Sequence, residues 1–226
     1  MKPLTTAIAL SAVLLAAPSY AGFYDDIVPS NLITNAVDLD PYFTMELNPD
    51  VGDRDGLNTS TTMRWVSVFG EGDGDFDYFS FYSAGGTIIA DIDHTYNPFR
   101  SSSLGFDAEI AIWKINGDSS LTLLAENDDY YPISAGDGGS IHEYDSFIQL
   151  DNAQAGRYVV GVATYSSEAD HDGWVSGSTM IDAGKQYTLQ VAVVPEPETW
   201  AMLLAGLGLV GLQLRRRNNA GKIAIN

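Results

Sequence analysis

The chain has 226 residues, 30 acidic against 11 basic side chains, a formal net charge of −19 and no cysteine. So negative a polypeptide repels phosphate, which excludes nucleic acid and anionic lipid surfaces as expected partners, and the missing cysteines exclude a disulfide framework and a thiol nucleophile. Two uses remain for the surplus carboxylates: solubility through mutual repulsion, or the binding of hard cations, which take carboxylate oxygens.

In chain order, Lys2 supplies a small positive start, Ala7 to Ala17 an apolar stretch, and Ser19-Tyr20-Ala21 small residues at the −3 and −1 positions of a cleavage site. That pattern is a secretory signal peptide over residues 1–21. Residues 22–62, with Pro29, Pro41 and Pro49 and little periodicity, read as an irregular lead-in with one short edge strand near Phe43 to Leu47. From residue 63 to 194 the pattern changes. Strands are expected over Met63–Phe69, Tyr78–Tyr82, Thr87–Ile92, Ala108–Ile115, Leu121–Ala125, Ser146–Leu150, Tyr158–Thr164 and Tyr187–Val193. Phe79 and Phe81 fall on one face, as do Tyr187, Leu189, Val191 and Val193, and period two with one apolar side marks half-buried antiparallel strands. Ala84-Gly85-Gly86, Asn116-Gly117-Asp118 and Ala183-Gly184-Lys185 are turn chemistry, and the Asn-Gly pair is expected to close the hairpin from Trp113 to Leu123. The expected fold is all-β: an antiparallel β-sandwich of jelly-roll type. Trp65 and Trp113 lie inside strands and are expected in the core. Asp91 and Asp93 alternate with Ile92 and are expected to point away from it.

Two sets of residues could carry function. The loop Glu126-Asn127-Asp128-Asp129 lies between two expected strands, and Asp107 and Asp145 open neighbouring ones. These six oxygen-bearing residues could converge on calcium, which takes six to eight oxygens in irregular geometry. The plainer reading is a solvated turn of the residues that turns favour. The run Glu71-Gly72-Asp73-Gly74-Asp75-Phe76-Asp77 lacks the remaining features of an EF-hand loop. His94, His142 and His171 show no paired ligand spacing, and no G-x-S-x-G elbow is present, so no catalytic residue is assigned. Tyr130, Tyr131 and Trp174 could form a rim on which sugar rings stack; the alternative is packing over the ends of the sandwich.

The C-terminus is the most telling segment. Val194-Pro195-Glu196-Pro197-Glu198-Thr199 ends the strand pattern, Trp200 to Leu214 is apolar, and Arg215, Arg216 and Arg217 follow, with a short tail over residues 218–226. Prolines stop regular structure, the apolar run seeks hydrocarbon as a transmembrane helix, and the arginines stay on the cytoplasmic side. This ending resembles the PEP-CTERM sorting signal of Gram-negative bacteria, over residues 195–217. The resemblance implies export, transient anchoring in the inner membrane, processing by an exosortase-type enzyme, and a place at the cell surface or in the extracellular matrix beside exopolysaccharide. A second resemblance rests on Asp75-Phe76-Asp77-Tyr78-Phe79-Ser80-Phe81, Leu124-Ala125-Glu126-Asn127-Asp128-Asp129, Asp145-Ser146-Phe147 and Ala155-Gly156-Arg157-Tyr158. In that order they look like the bacterial pre-peptidase C-terminal (PPC) domain, a non-catalytic β-sandwich whose relatives often bind calcium at such loops. The stretch Ser166 to Ile181 is an insertion relative to it. The expectation is an exported, non-enzymatic surface protein. Its alternatives are a purely structural envelope domain without a ligand and a hydrolase with an unrecognised site.

Overall fold

The computed structural model describes residues 22–26, 30–93, 105–131, 142–194 and 204–210. The expected signal peptide, the Pro-Glu-Pro motif and the three arginines lie outside these residues.

Alternating apolar and polar residues build eight long strands. They are β3 (Arg64–Glu71), β4 (Asp77–Ser83), β5 (Gly86–Asp93), β6 (Ala108–Ile115), β7 (Leu121–Asn127), β8 (Phe147–Ala153), β9 (Gly156–Thr164) and β12 (Gln186–Val193). Each expected strand has its counterpart. Four shorter strands complete the set: β1 (Phe23–Asp25), β2 (Val37–Asp38), and the two-residue β10 (Ala169–Asp170) and β11 (Gly173–Trp174), which form a small hairpin inside the insertion. One sheet has the order β1-β3-β12-β5-β8 and the other β2-β4-β9-β6-β7. Counting the long strands alone from one to eight, these read 1-8-3-6 and 2-7-4-5, a double Greek-key wiring.

The sheets are mixed rather than antiparallel throughout. β1 runs parallel to β3, with Phe23 opposite Ser67, and β2 runs parallel to β4, with Val37 opposite Phe79. The lead-in therefore supplies one edge strand to each sheet, and is not irregular along its whole length. Strands of two or three residues are too short to leave a periodic trace in sequence. The strand expected near Phe43 to Leu47 is reduced to a bridge between Thr44 and Trp65.

The two sheets face each other across one apolar core. Val66, Val68, Ile88, Ile92, Leu189 and Val191 come from one, and Phe79, Phe81, Ile110, Ile112, Val160 and Val162 from the other. Leu39 of the lead-in is also fully buried there. Each such side chain contributes about 1.5–3 kcal/mol on transfer from water. Trp65 and Trp113 are buried as expected, but on the outer faces. Trp65 packs with Val51, Met63, Ile89 and Phe147, and Trp113 with Tyr78, Ala111 and Val159. Asp91 and Asp93 share the outer face with Ile89, yet both are buried, because that face is itself covered.

Residues 204–210 are helical, with Leu204, Leu207 and Leu209 exposed. No helix among the described residues is long and apolar enough to cross a membrane. The rest of the expected apolar span lies outside them.

Candidate functional site

Strand alternation divides the six expected calcium ligands. Glu126 lies opposite Ala111 and Asn127 opposite Ile110, so consecutive side chains leave β7 on opposite faces. Asn127 points to the rim between the sheets. Its Oδ1 accepts from the Phe147 amide at 2.9 Å, and its Nδ2 donates to the Asp129 carbonyl at 2.8 Å. It thereby ties the end of β7 to the start of β8. Ser146 Oγ adds to this tie, lying 2.6 Å from the Ala108 carbonyl and 2.8 Å from that of Asp128. Asp145 is buried, and its Oδ2 accepts from the His142 amide at 3.2 Å, closing the turn before β8.

Asp107, Asp128 and Asp129 are brought within electrostatic reach of one another. Burial, then the charges of Asp129 and Asp128, push the Asp107 carboxyl up to about 6, with His142 opposing. Burial and Asp128 also raise Asp129. Asp107 Oδ1 is buried without a hydrogen-bond partner. This donor set is all oxygen, which suits a hard cation. The carboxylates face each other without closing into a tight cage. Among the described residues the one group whose ligand atoms all lie within 4.8 Å is Asp170, His171 and Asp172. That group sits on the exposed turn between β10 and β11, with His171 Nε2 3.3 Å from Asp172 Oδ2.

Glu126 has a different task. On the outer face of its sheet it meets the carboxyl of Glu109 of β6, and burial raises the proton affinity of both. Glu109 Oε2 also accepts from the Ser167 amide at 2.6 Å, and Glu126 Oε1 from the Ala169 amide at 2.8 Å. Burial pushes Glu109 up to about 7, the Ser167 amide opposes, and the Glu126 charge adds to the rise. The pair clasps the insertion to the sheet. Trp113 Nε1 donates to the Asp170 carbonyl at 2.6 Å, and the Trp174 amide donates to Tyr78 Oη at 3.1 Å.

The aromatic rim does not assemble as one surface. Trp174 crosses Trp113 edge-on at 5.7 Å and lies 6.1 Å from Phe76, on the outer face of the second sheet. Tyr130 packs 5.0 Å from Phe147 on the outer face of the first. Tyr131 beside it is 82% exposed, the most open of the three. Sequence reasoning missed two buried carboxyls, Glu109 and Asp77. For Asp77 a signal was present: it stands at the same parity as Phe79 and Phe81, which places it on the core face.

Residues 193–217 match the family model of the PEP-CTERM protein-sorting motif. No curated protein matches the chain. Among solved structures, the pre-peptidase C-terminal domain of a Bacillus anthracis collagenase is similar at 12% identity and a TM-score of 0.31, covering 56% of this chain and 85% of that one. The Yersinia pseudotuberculosis-derived mitogen is similar at 9% identity and a TM-score of 0.33, covering 59% and 86%. A protein of Sulfurospirillum deleyianum is similar at 8% identity and a TM-score of 0.32, covering 57% and 96%. The matched motif begins at the last residue of β12, so this chain carries a PEP-CTERM sorting motif directly behind its β-sandwich, which implies export and sorting by an exosortase-type system.

Proposed function

We propose that the chain is a non-enzymatic surface or matrix protein whose sandwich associates with exopolysaccharide once the sorting tail has been processed. The observation that carries this reading is the sorting motif at residues 193–217, placed where the last strand ends. Transient inner-membrane anchoring belongs to the same reading, with the apolar run from Trp200 as the anchor. The exposed Tyr131 beside the acidic rim offers a ring for sugar stacking, with carboxylates to receive hydroxyls. Calcium bound between Asp107, Asp128 and Asp129 would relieve their mutual repulsion.

The test is made in the native host. Replacing Pro195, Glu196 and Pro197 by alanine is expected to leave the chain unprocessed in the membrane fraction, while the parent chain reaches the surface. Retention of the parent on the host's own polysaccharide, measured with calcium and with chelator, then tests the association. No retention under either condition leaves the ligand-free envelope domain as the function. Turnover in a broad glycoside and peptide screen, abolished by one substitution, would instead establish the hydrolase.

A further inference from the structure

The strand wiring fixes where the sorting tail leaves the sandwich. β12 ends beside the first residue of β3, Val193 opposite Arg64, and the Val194 amide still donates to the Thr87 carbonyl of β5 at 3.3 Å. The turns from β4 to β5 and from β8 to β9 lie at this same end, since Gly86 pairs with Ala153 and Ser83 with Gly156. So does the β6–β7 turn, because Lys114 near the end of β6 pairs with Tyr158 near the start of β9. β1 runs parallel to β3, so the described chain also enters the sandwich from this side. Only residues 195–199 separate Val194 from the apolar run at Trp200, a reach of at most about 20 Å when fully extended.

Cations gather at this tail end. Arg64 opens β3, Lys114 and Arg157 lie one residue inside the ends of β6 and β9, and Arg54 donates to the Gln149 carbonyl and to Asp151 of β8 at 3.2 and 2.8 Å. Asp38, Asp40 and Asp151 are held there in ion pairs, while Asp53, Asp55 and Asp118 keep the end from being basic. The opposite end is far more negative. Asp73 and Asp75 follow β3, Asp107 precedes β6, Asp128 and Asp129 follow β7, and Asp182 precedes β12. Lys185 is the one described cation beside them, and it donates to the Gly105 carbonyl at 2.7 Å. The tail end also exposes apolar side chains, Leu47 at 77% and Leu57 at 62%. They share one lobe: Asn58 Nδ2 donates to the Asn48 carbonyl at 2.6 Å, and Trp65 Nε1 of β3 to the Glu46 carbonyl at 2.9 Å. Arg54 stands in the same lobe.

We propose that the tail end is a membrane-facing foot: while the tail is anchored, Leu47, Leu57, Arg54 and Arg64 rest on the anionic bilayer surface, and the acidic end points away from it. The inference rests on the anchoring reading given above. Leucines set beside arginines suit the bilayer interface, where apolar tips enter and guanidinium groups meet lipid phosphates. The opposite orientation presses carboxylates against those phosphates and leaves the leucines in water. The net charge of the whole chain argues against lipid as a free partner. A short tether changes the case, because it brings the least negative end to the bilayer first. The rim of Asp107, Asp128 and Asp129 is thereby presented outward.

The chain with its sorting tail, reconstituted in vesicles of phosphatidylethanolamine and phosphatidylglycerol, tests this. It holds no cysteine, so Gly117→Cys in the β6–β7 turn and Ala183→Cys in the exposed turn before β12 each give a single fluorophore site. Quenching by a nitroxide carried on the lipid headgroup is expected to be at least about threefold stronger at 117 than at 183, an eight-residue strand setting the two ends about 26 Å apart. Leu47→Asp with Leu57→Asp is expected to lower quenching at 117 toward that at 183, with the melting temperature unchanged, since both sites are exposed. Equal quenching at the two positions, in chains that float with the vesicles, overturns the foot. Stronger quenching at 183, or no response to the leucine pair, does so too. A chain that does not float with the vesicles overturns the anchoring reading itself, and the foot with it.

Discussion

Tyr187 reaches Asp77 because the residue opposite it on β3 is glycine. A Cβ built on Gly70 would lie 2.0 Å from Tyr187 Cζ, deep inside van der Waals contact. The ring is buried in the core and cannot swing out of it, so the added methyl must displace it. Gly70→Ala is expected to cost at least about 2 kcal/mol, toward the upper end of overpacking substitutions, read as a lower urea midpoint. A folded variant of unchanged midpoint would show that this end of the core is loose. Glu109 makes the second residue-scale prediction. Its folded value of about 7 stands above the ordinary 4.5, so the folded state holds a proton that the unfolded state releases. The sign follows: its contribution is fully present below about 4.5 and is lost as pH rises to about 7. Melting temperature against pH should therefore flatten in Glu109→Gln across that window. A slope identical to the parent's would place the proton elsewhere.

At the scale of elements, the β6–β7 hairpin shows where local chemistry and real geometry part. Asn116-Gly117 carries the strongest short turn signal, and the hairpin forms where it stands. Yet the loop is longer than two residues. The Asn116 amide donates to the Ser120 carbonyl, and the left-handed position is taken by Ser119 at φ 67°. Asp118 Oδ1 supports it by accepting from the Ser120 amide and hydroxyl at 3.0 and 2.6 Å. An L-residue pays about 1 kcal/mol to sit in that conformation, and glycine does not. Ser119→Gly, at an exposed position, is expected to raise stability by up to about 1 kcal/mol, measured by thermal melting. A lower melting temperature would mean that glycine's extra freedom in the unfolded chain outweighs the relief. β1 and β2 teach a related lesson. They close the β3 edge of one sheet and the β4 edge of the other, a protection against edge-to-edge pairing that three or two residues can give.

At the scale of the whole molecule, the acidic excess is distributed with a consequence. Asp77, Asp107 and Glu109 are all raised, in each case first by burial. Each adds stability below its ordinary value and loses it toward about 6 or 7, so their effects share one sign. Mild acid should tighten this sandwich rather than loosen it. The acidity that the composition presents as a surface property is thus partly an internal one. The sheets, the insertion and the lead-in are each joined through carboxyl groups, with Arg157 of β9 as the cation that binds Asp38 and Asp40 of the lead-in.

The sequence by itself determined the eight long strands, their inward apolar faces and the sorting tail, because each is written in contiguous residues: period two, turn residues, and an ordered Pro-Glu-Pro, apolar and arginine succession. Only the tertiary structure decided which carboxyls meet. Glu126 and Asn127 are neighbours in chain yet leave β7 on opposite faces, while Glu109 and Glu126 become partners across two strands. Likewise Trp174 and Tyr130 end on outer faces of different sheets, and Asp77 finds Tyr187 from 110 positions away. Such meetings depend on how strands are ordered and which face each side chain takes, and strand order is set by packing the whole core at once, which no local pattern encodes.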